Sequence, residues 1–275
     1  MFINHWHVFP DNAIDRAQVP YVLGDGSLAE MADIMKSAGV ARAVAFAPGI
    51  SCMPRDTWYK IKFKTARECN EWLFQALKGY ENITGFANVN PRDPDCCDVL
   101  NDYFEKGFKG VKLHPPCCRI RTNDPRYDQY YRTIERAGFP VSVHTGIHGW
   151  QTEHYLPILM GDVAGKFPDL KLILEHVGGN DYFDQALAVM VKNKNCYAGI
   201  TQNSGRCARY FLSDEKIKLL LDKIGVDRII YGLDYPWNSG RQGLLDDIRW
   251  ISGWGLSQDE QEKVLGGNLA KLVDF

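Results

Sequence analysis

The chain has 275 residues, 45% hydrophobic and 24% charged, and its 32 basic side chains nearly cancel 34 acidic ones for a formal charge of −2. These values exclude disorder, collagen and coiled coil for the chain as a whole, and the near-neutral balance lacks the basic face that a nucleic acid or an anionic membrane requires. A chain of this length is one large α/β barrel or two modest domains, and either buries its core without disulfide staples.

The first apolar run, Phe2–Val8, has no basic segment before it, and nowhere does the chain reach the roughly 18 apolar residues of a membrane span. Helical spacing follows over Leu28–Ala38 and stops at Gly39. After a second run, Arg42–Ala47, the stretch Ile50–Lys64 has no clear period and reads as a flap over a barrel mouth. A helix over Thr65–Gly79 starts at a Thr and stops at a Gly, and leads to the run Ile83–Val89. Further on, helical patterns over Cys97–Lys106, Tyr127–Ala137 and Asp214–Ile224 end at Gly107, Gly138 and Gly225. Between and beyond them lie the apolar runs Gly110–His114, Val141–His144, Leu170–His176, Tyr197–Thr201 and Ile229–Asp234.

Eight runs result, with ends 25 to 42 residues apart, near the roughly 30 residues of a βα unit. Eight such units predict a closed parallel (β/α)8 TIM barrel. No linker or low-complexity segment divides the chain, so residues 1–275 read as a single domain. A doubly wound dinucleotide fold would need a glycine-rich turn after the first strand, and none occurs before Gly24. The eight Cys include the adjacent pairs Cys96-Cys97 and Cys117-Cys118 and no CxxC, which removes zinc-ribbon and thioredoxin readings. Free thiols and the lack of a signal peptide make the cytoplasm the expected compartment.

Four strand ends carry metal-type ligands: His5-Trp6-His7, Val143-His144-Thr145-Gly146, Glu175-His176-Val177-Gly178-Gly179 and Gly232-Leu233-Asp234-Tyr235-Pro236. Barrel active sites form where strands end, so residues far apart in sequence meet at one mouth. Alternation puts His5 and His7 on one face, and turns Lys112, His114, His144 and Asp234 inward. Three imidazoles and a carboxylate suit Zn²⁺, or Mn²⁺, with an open position for water. A lone His-x-His is commonly accidental; coincidence at four strand ends is not. Lys112, His114, Arg119 and Arg121 form a set able to hold an anion, although both arginines also read as a solvated loop face. His148 and His154 follow the fifth strand and read as ordinary loop histidines. Trp237 flanks a ligand as a pocket wall, whereas the phase of Trp6 turns it toward the helices.

With these residues in order, the chain resembles the amidohydrolase superfamily, and within it the amidohydrolase-related group of aminocarboxymuconate-semialdehyde and resorcylate decarboxylases. The matching segments are His5-Trp6-His7, Gly110-Val111-Lys112-Leu113-His114-Pro115, His144, His176-Val177-Gly178-Gly179 and Gly232-Leu233-Asp234-Tyr235-Pro236. The resemblance implies that His5, His7, His144 and Asp234 bind one catalytic metal. It implies that His176, beside the metal-bound water, is an acid/base, and that Lys112 contacts substrate rather than bridging two ions.

The expected reaction is hydrolysis of an ester, lactone or amide in a small carboxylated substrate. Metal-bound hydroxide would attack the carbonyl, with Asp234 or His176 moving the proton. The alternative is non-oxidative decarboxylation of an aromatic or unsaturated acid by the same residues; the chain is short for a decarboxylase, which favours hydrolysis. A third reading is an inactive barrel acting as a binding protein. The partner expected is a small-molecule substrate, with a homodimer allowed.

Overall fold

The computed structural model describes residues 1–15, 19, 22–49, 60, 63–148, 151–237 and 240–274. Eight parallel strands close on themselves in sequence order: β1 (Phe2–His7), β2 (Arg42–Phe46), β3 (Ile83–Asn88), β4 (Val111–Leu113), β5 (Val141–His144), β6 (Leu172–Glu175), β7 (Cys196–Thr201) and β8 (Ile229–Tyr235). Between them run α1 (Leu28–Ala38), α2 (Ala66–Ala76), α3 (Cys96–Glu105), the short α4 (Pro115–Cys118), α5 (Asp128–Ala137), α6 (Leu159–Lys166), α7 (Gly179–Lys192) and α8 (Asp214–Ile224). After β8 come α9 (Arg241–Ser252), α10 (Gln258–Glu262) and α11 (Asn268–Val273). The expected (β/α)8 barrel is the fold. The flap expected over Ile50–Lys64 falls almost wholly outside the described residues.

Local chemistry sets the helix ends. Ser27, Thr65 and Ser213 each accept a hydrogen bond from the backbone N–H three residues on, satisfying one of the free donors of the first turn. Gly39 and Gly138 end α1 and α5 in the left-handed conformation that side chains resist.

Two apolar layers follow from strand alternation. Ile3, Val111, Leu113, Val141, Val143, Leu172, Leu174, Tyr231 and Leu233 pack outward under the helices. Phe2, Val44, Phe46, Phe86, Ile173 and Ile230 fill the barrel, with Leu269, Leu272 and Val273 of α11. Above this plug the inward positions turn polar: Asn4, Lys112, Ser142, Glu175, Thr201 and Asp234 are all buried. The described cysteines are free thiols. Among the described residues no helix is long and apolar enough to cross a membrane.

Candidate metal centre

Simple alternation would put His5 on the face opposite Asn4. Phe2 packs inside the barrel, Ile3 outside, and Asn4 reaches inward to donate to Glu175 at 2.7 Å. His5 then takes φ 65°, and the register of β1 slips against both neighbours. The bulge turns His5 inward beside Asn4 and returns Trp6 outward, where its ring lies 5.4 Å from that of Tyr235. Thus His5 and His7 share a face, as expected, but through a β-bulge rather than through a regular strand. Other residues here also hold positive φ: His176 (63°), Val177 (51°), Gln202 (58°) and Asp234 (61°). Such backbone costs on the order of 1–3 kcal/mol per residue and clusters at functional sites.

The result is a tight convergence of electron pairs. His5 Nε2 and His7 Nε2 are 3.2 Å apart, and each is 3.3 Å from Asp234 Oδ1. Two donors in a tetrahedral shell, each about 2.0–2.1 Å from an ion, stand about 3.3–3.4 Å from one another. The spacing therefore fits a small divalent cation, and the donor set suits Zn²⁺ or Mn²⁺. Lys112 Nζ lies 3.0 Å from His5 Nε2 and 5.1 Å over the Phe46 ring.

Electrostatics keeps these groups, His5 excepted, in the forms a cation needs. Burial holds the His7 imidazole down to about 4 and that of His176 to about 3, so both are neutral near pH 7. His114 and His144 are pushed well below the usual histidine value, again by burial first. Burial would raise the carboxyl of Asp234, but His5 and His7 outweigh it and hold the group well below the carboxylate range. For His5, burial and Lys112 disfavour the imidazolium, yet Glu175 and Asp234 prevail and the value rises.

His144 does not join the tight trio. It neighbours His176, with centroids 4.8 Å apart, and its buried Nε2 has no hydrogen-bond partner among the described residues. An orphaned buried imidazole nitrogen is what a further ligand would leave, so His144 fits the edge of the centre. Nitrogens of His114, His144 and His148 also approach one another within 4.8 Å. However, His114 and His144 lie face to face, 4.1 Å apart with 16° between planes. In-plane lone pairs of parallel stacked rings do not converge on one ion. The Nδ1 of His114 also accepts from the Cys117 N–H as the N-cap of α4, so its neutral ring carries the proton on Nε2. That makes His114 a donor toward an anion.

Trp237 walls the mouth, its ring 6.3 Å from His7. Arg119 is exposed, in a left-handed conformation at the end of α4, and acts with burial to lower His154. Arg121 turns to the surface and donates to Asn123 at 3.0 Å. Sequence reasoning missed Glu175 and Tyr210 as contributors. Tyr210 stacks on His176 at 4.0 Å and 17°, and His176 Nδ1–H donates to the Thr201 carbonyl at 2.9 Å, leaving Nε2 as its working nitrogen. The available signal was a Glu, an Asn and a Ser on the inward phase of apolar strands. Tyr210, in a loop, carried none.

Comparison with known proteins gives the family and the fold. The family model described as Amidohydrolase (Amidohydro_2) matches residues 24–275, and the chain belongs to that family. The match begins after β1, so His5 and His7 lie outside it. A γ-resorcylate decarboxylase from Polaromonas sp. JS666 is 22% identical over 259 residues, 76% of either chain. The uncharacterized protein y4mH of Sinorhizobium fredii is 23% identical over 176 residues, and the match spans 56% of its length. Among solved structures, a dihydroxybenzoic acid decarboxylase from Polaromonas sp. JS666, with manganese and 2-nitroresorcinol bound, superposes with TM-score 0.73 at 16% identity, covering 99% of this chain and 96% of that one. A probable 2-pyrone-4,6-dicarboxylic acid hydrolase from Acinetobacter baumannii, with citric acid bound, gives TM-score 0.70 at 16% identity, covering 100% and 99%.

Proposed function

We propose that this chain is a metal-dependent, non-oxidative decarboxylase of a small ring-bearing carboxylic acid. The observation that carries the reading is the trio His5, His7 and Asp234, with donor atoms 3.2–3.3 Å apart beside buried Lys112. An ion held there supplies Lewis acidity toward a carboxylate or carbonyl oxygen. The charge balance favours an acidic substrate. Buried Lys112 against buried Glu175 and Asp234 leaves the pocket one charge negative, and a divalent ion makes it one positive. A substrate carboxylate restores neutrality, with Lys112 and the Nε2–H of His114 as further donors. Trp237 presents a flat apolar wall to a ring.

Decarboxylation breaks the bond between ring carbon and carboxylate, leaves the electron pair on carbon, and replaces CO₂ with a proton. His176 is the group suited to move that proton. Its Nδ1 is committed to Thr201, and its Nε2 is free to take up and release one. The decarboxylases with sequence or structural likeness support this reading over hydrolysis. The decarboxylase structure is also matched over 96% of its length, so the shortness of this chain is no argument against decarboxylation.

Hydrolysis remains the second reading, favoured by the likeness to the pyrone dicarboxylic acid hydrolase; there His176 Nε2 would take a proton from water. The test is a panel of hydroxybenzoates, pyrone carboxylic acids, lactones, esters and amides, assayed together for CO₂ and for acid release. CO₂ from a hydroxybenzoate supports the proposal. Acid release from a lactone without CO₂ from any member overturns it in favour of hydrolysis.

A further inference from the structure

Glu175 closes β6 fully buried, and three other strands supply its partners. Its Oε1 accepts from Asn4 Nδ2 at 2.7 Å (β1) and from Ser142 Oγ at 2.6 Å (β5). Its Oε2 accepts from Thr201 Oγ1 at 2.7 Å (β7) and stands 2.9 Å from His5 Nδ1. Two inward glycines make the room. A Cβ on Gly199 would come within 2.5 Å of Oε2, and one on Gly232 within 2.7 Å of Thr201 Oγ1 and 2.8 Å of the His5 Cβ. An ionised carboxylate in such a place carries a heavy desolvation cost unless its charge has a use and its lone pairs have partners. An apolar side chain would serve packing alone at less cost.

The contact with His5 is oblique to the N–H direction, and the other ring nitrogen decides the tautomer. Lys112 Nζ, which can only donate, stands 3.0 Å from Nε2 and calls for a lone pair there, so Nδ1 carries the proton on the side of the ring where Glu175 Oε2 lies at 2.9 Å. Nε2 then keeps its lone pair, and it is Nε2 that faces His7, Asp234 and Lys112. We propose that Glu175 is a positioning residue of the centre: it holds His5 in that tautomer and orientation so that Nε2 is offered to a divalent cation, and its buried charge offsets that of the ion. A carboxylate behind a ligating imidazole raises the ligand's basicity, and losing it typically lowers metal affinity about 10–100-fold. The inference rests on the metal-centre reading but not on which reaction the centre performs.

The test titrates the 275-residue chain, stripped with a chelator, with Mn²⁺ alone, and measures Kd by calorimetry. Glu175→Gln, nearly isosteric, is expected to raise Kd about 10–100-fold, and Ser142→Ala, which removes one hydrogen bond from the carboxylate, by a smaller factor of about 2–10. Imidazole ¹⁵N spectra of the Zn²⁺-loaded chain should report Nδ1-protonated, Nε2-ligated His5 in the wild type and a displaced His5 signal in Glu175→Gln. A purely structural Glu175 would lower Tm and leave both readouts of the folded protein unchanged. Folded Glu175→Gln with Kd within about threefold of wild type overturns the proposal. Should that variant not fold, an unchanged Kd in Ser142→Ala does so instead. A wild-type chain that binds no Mn²⁺ fails the metal-centre reading itself, a result distinct from wild-type binding with unaltered variants.

Discussion

Replacing His176 with Asn separates proton movement from metal binding. His176 sits at φ 63°, a conformation that Asn tolerates better than most residues, so the backbone should hold. What disappears is the ring that stacks on Tyr210 at 4.0 Å and the Nδ1–H that donates to Thr201 at 2.9 Å. Such a stack is worth about 0.5–1.5 kcal/mol and such a hydrogen bond about the same. The sum, about 1–3 kcal/mol, corresponds to a fall in Tm of roughly 2–10 °C for a chain of this size. The variant also loses the Nε2 assigned to move the proton, so kcat should fall by about 10²–10⁴-fold. Metal content should stay near that of the wild type, because His176 is not among the three converging donors. Elemental analysis, calorimetry and the CO₂ assay on one preparation measure all three. Loss of metal as complete as in a ligand variant would make His176 a ligand, and activity within about tenfold of wild type would remove it from the proton path.

His7→Ala should lower metal content and activity together, and a variant that keeps its metal with full activity would break the trio. Asp234→Asn, also at a position of positive φ, should cost about 10²–10⁴-fold in kcat while losing less metal affinity than His5→Ala, since the amide still offers an oxygen; full activity would free Asp234 from any role. Gly199→Ala, whose new Cβ would lie 2.5 Å from Glu175 Oε2, should destabilise by about 1–3 kcal/mol and weaken Mn²⁺ binding in the same direction as Glu175→Gln. In chelated protein the imidazoles of His7 and His176 sit near 4 and 3, against an ordinary 6.5, chiefly through burial. The unfolded chain therefore binds protons first as pH falls through 6.5, and stability should decline from there toward pH 4, at up to about 1.4 kcal/mol per pH unit for each group. The raised value of His5 works in the opposite sense for one group only. A Tm that is flat or rises from pH 7 to 5 would contradict neutral burial of these rings.

The period of the chain was enough for the barrel. Apolar runs broken by helical spacing and Gly stops are set by local geometry, and helices such as Leu28–Ala38 and Asp214–Ile224 occur with the expected bounds. Alternation also carried the inward phase of Lys112, His144 and Asp234, because side-chain direction on a regular strand is a property of two neighbouring residues. The tertiary structure decided what depends on contact between strands. Whether the His5–His7 pair faces the mouth turned on a bulge, since strict alternation from Phe2 and Asn4 would have sent both outward. His144 looked equivalent to the other ligands, yet its ring stacks on His114 while His5, His7 and Asp234 close to 3.2–3.3 Å. Glu175 read as a neighbour of His176: its inward phase was legible on β6, but not that Asn4, Ser142 and Thr201 would hold it at the heart of the barrel. Those partners lie 26 to 171 residues away along the chain, and a hydrogen bond over such a separation exists only once the barrel has closed.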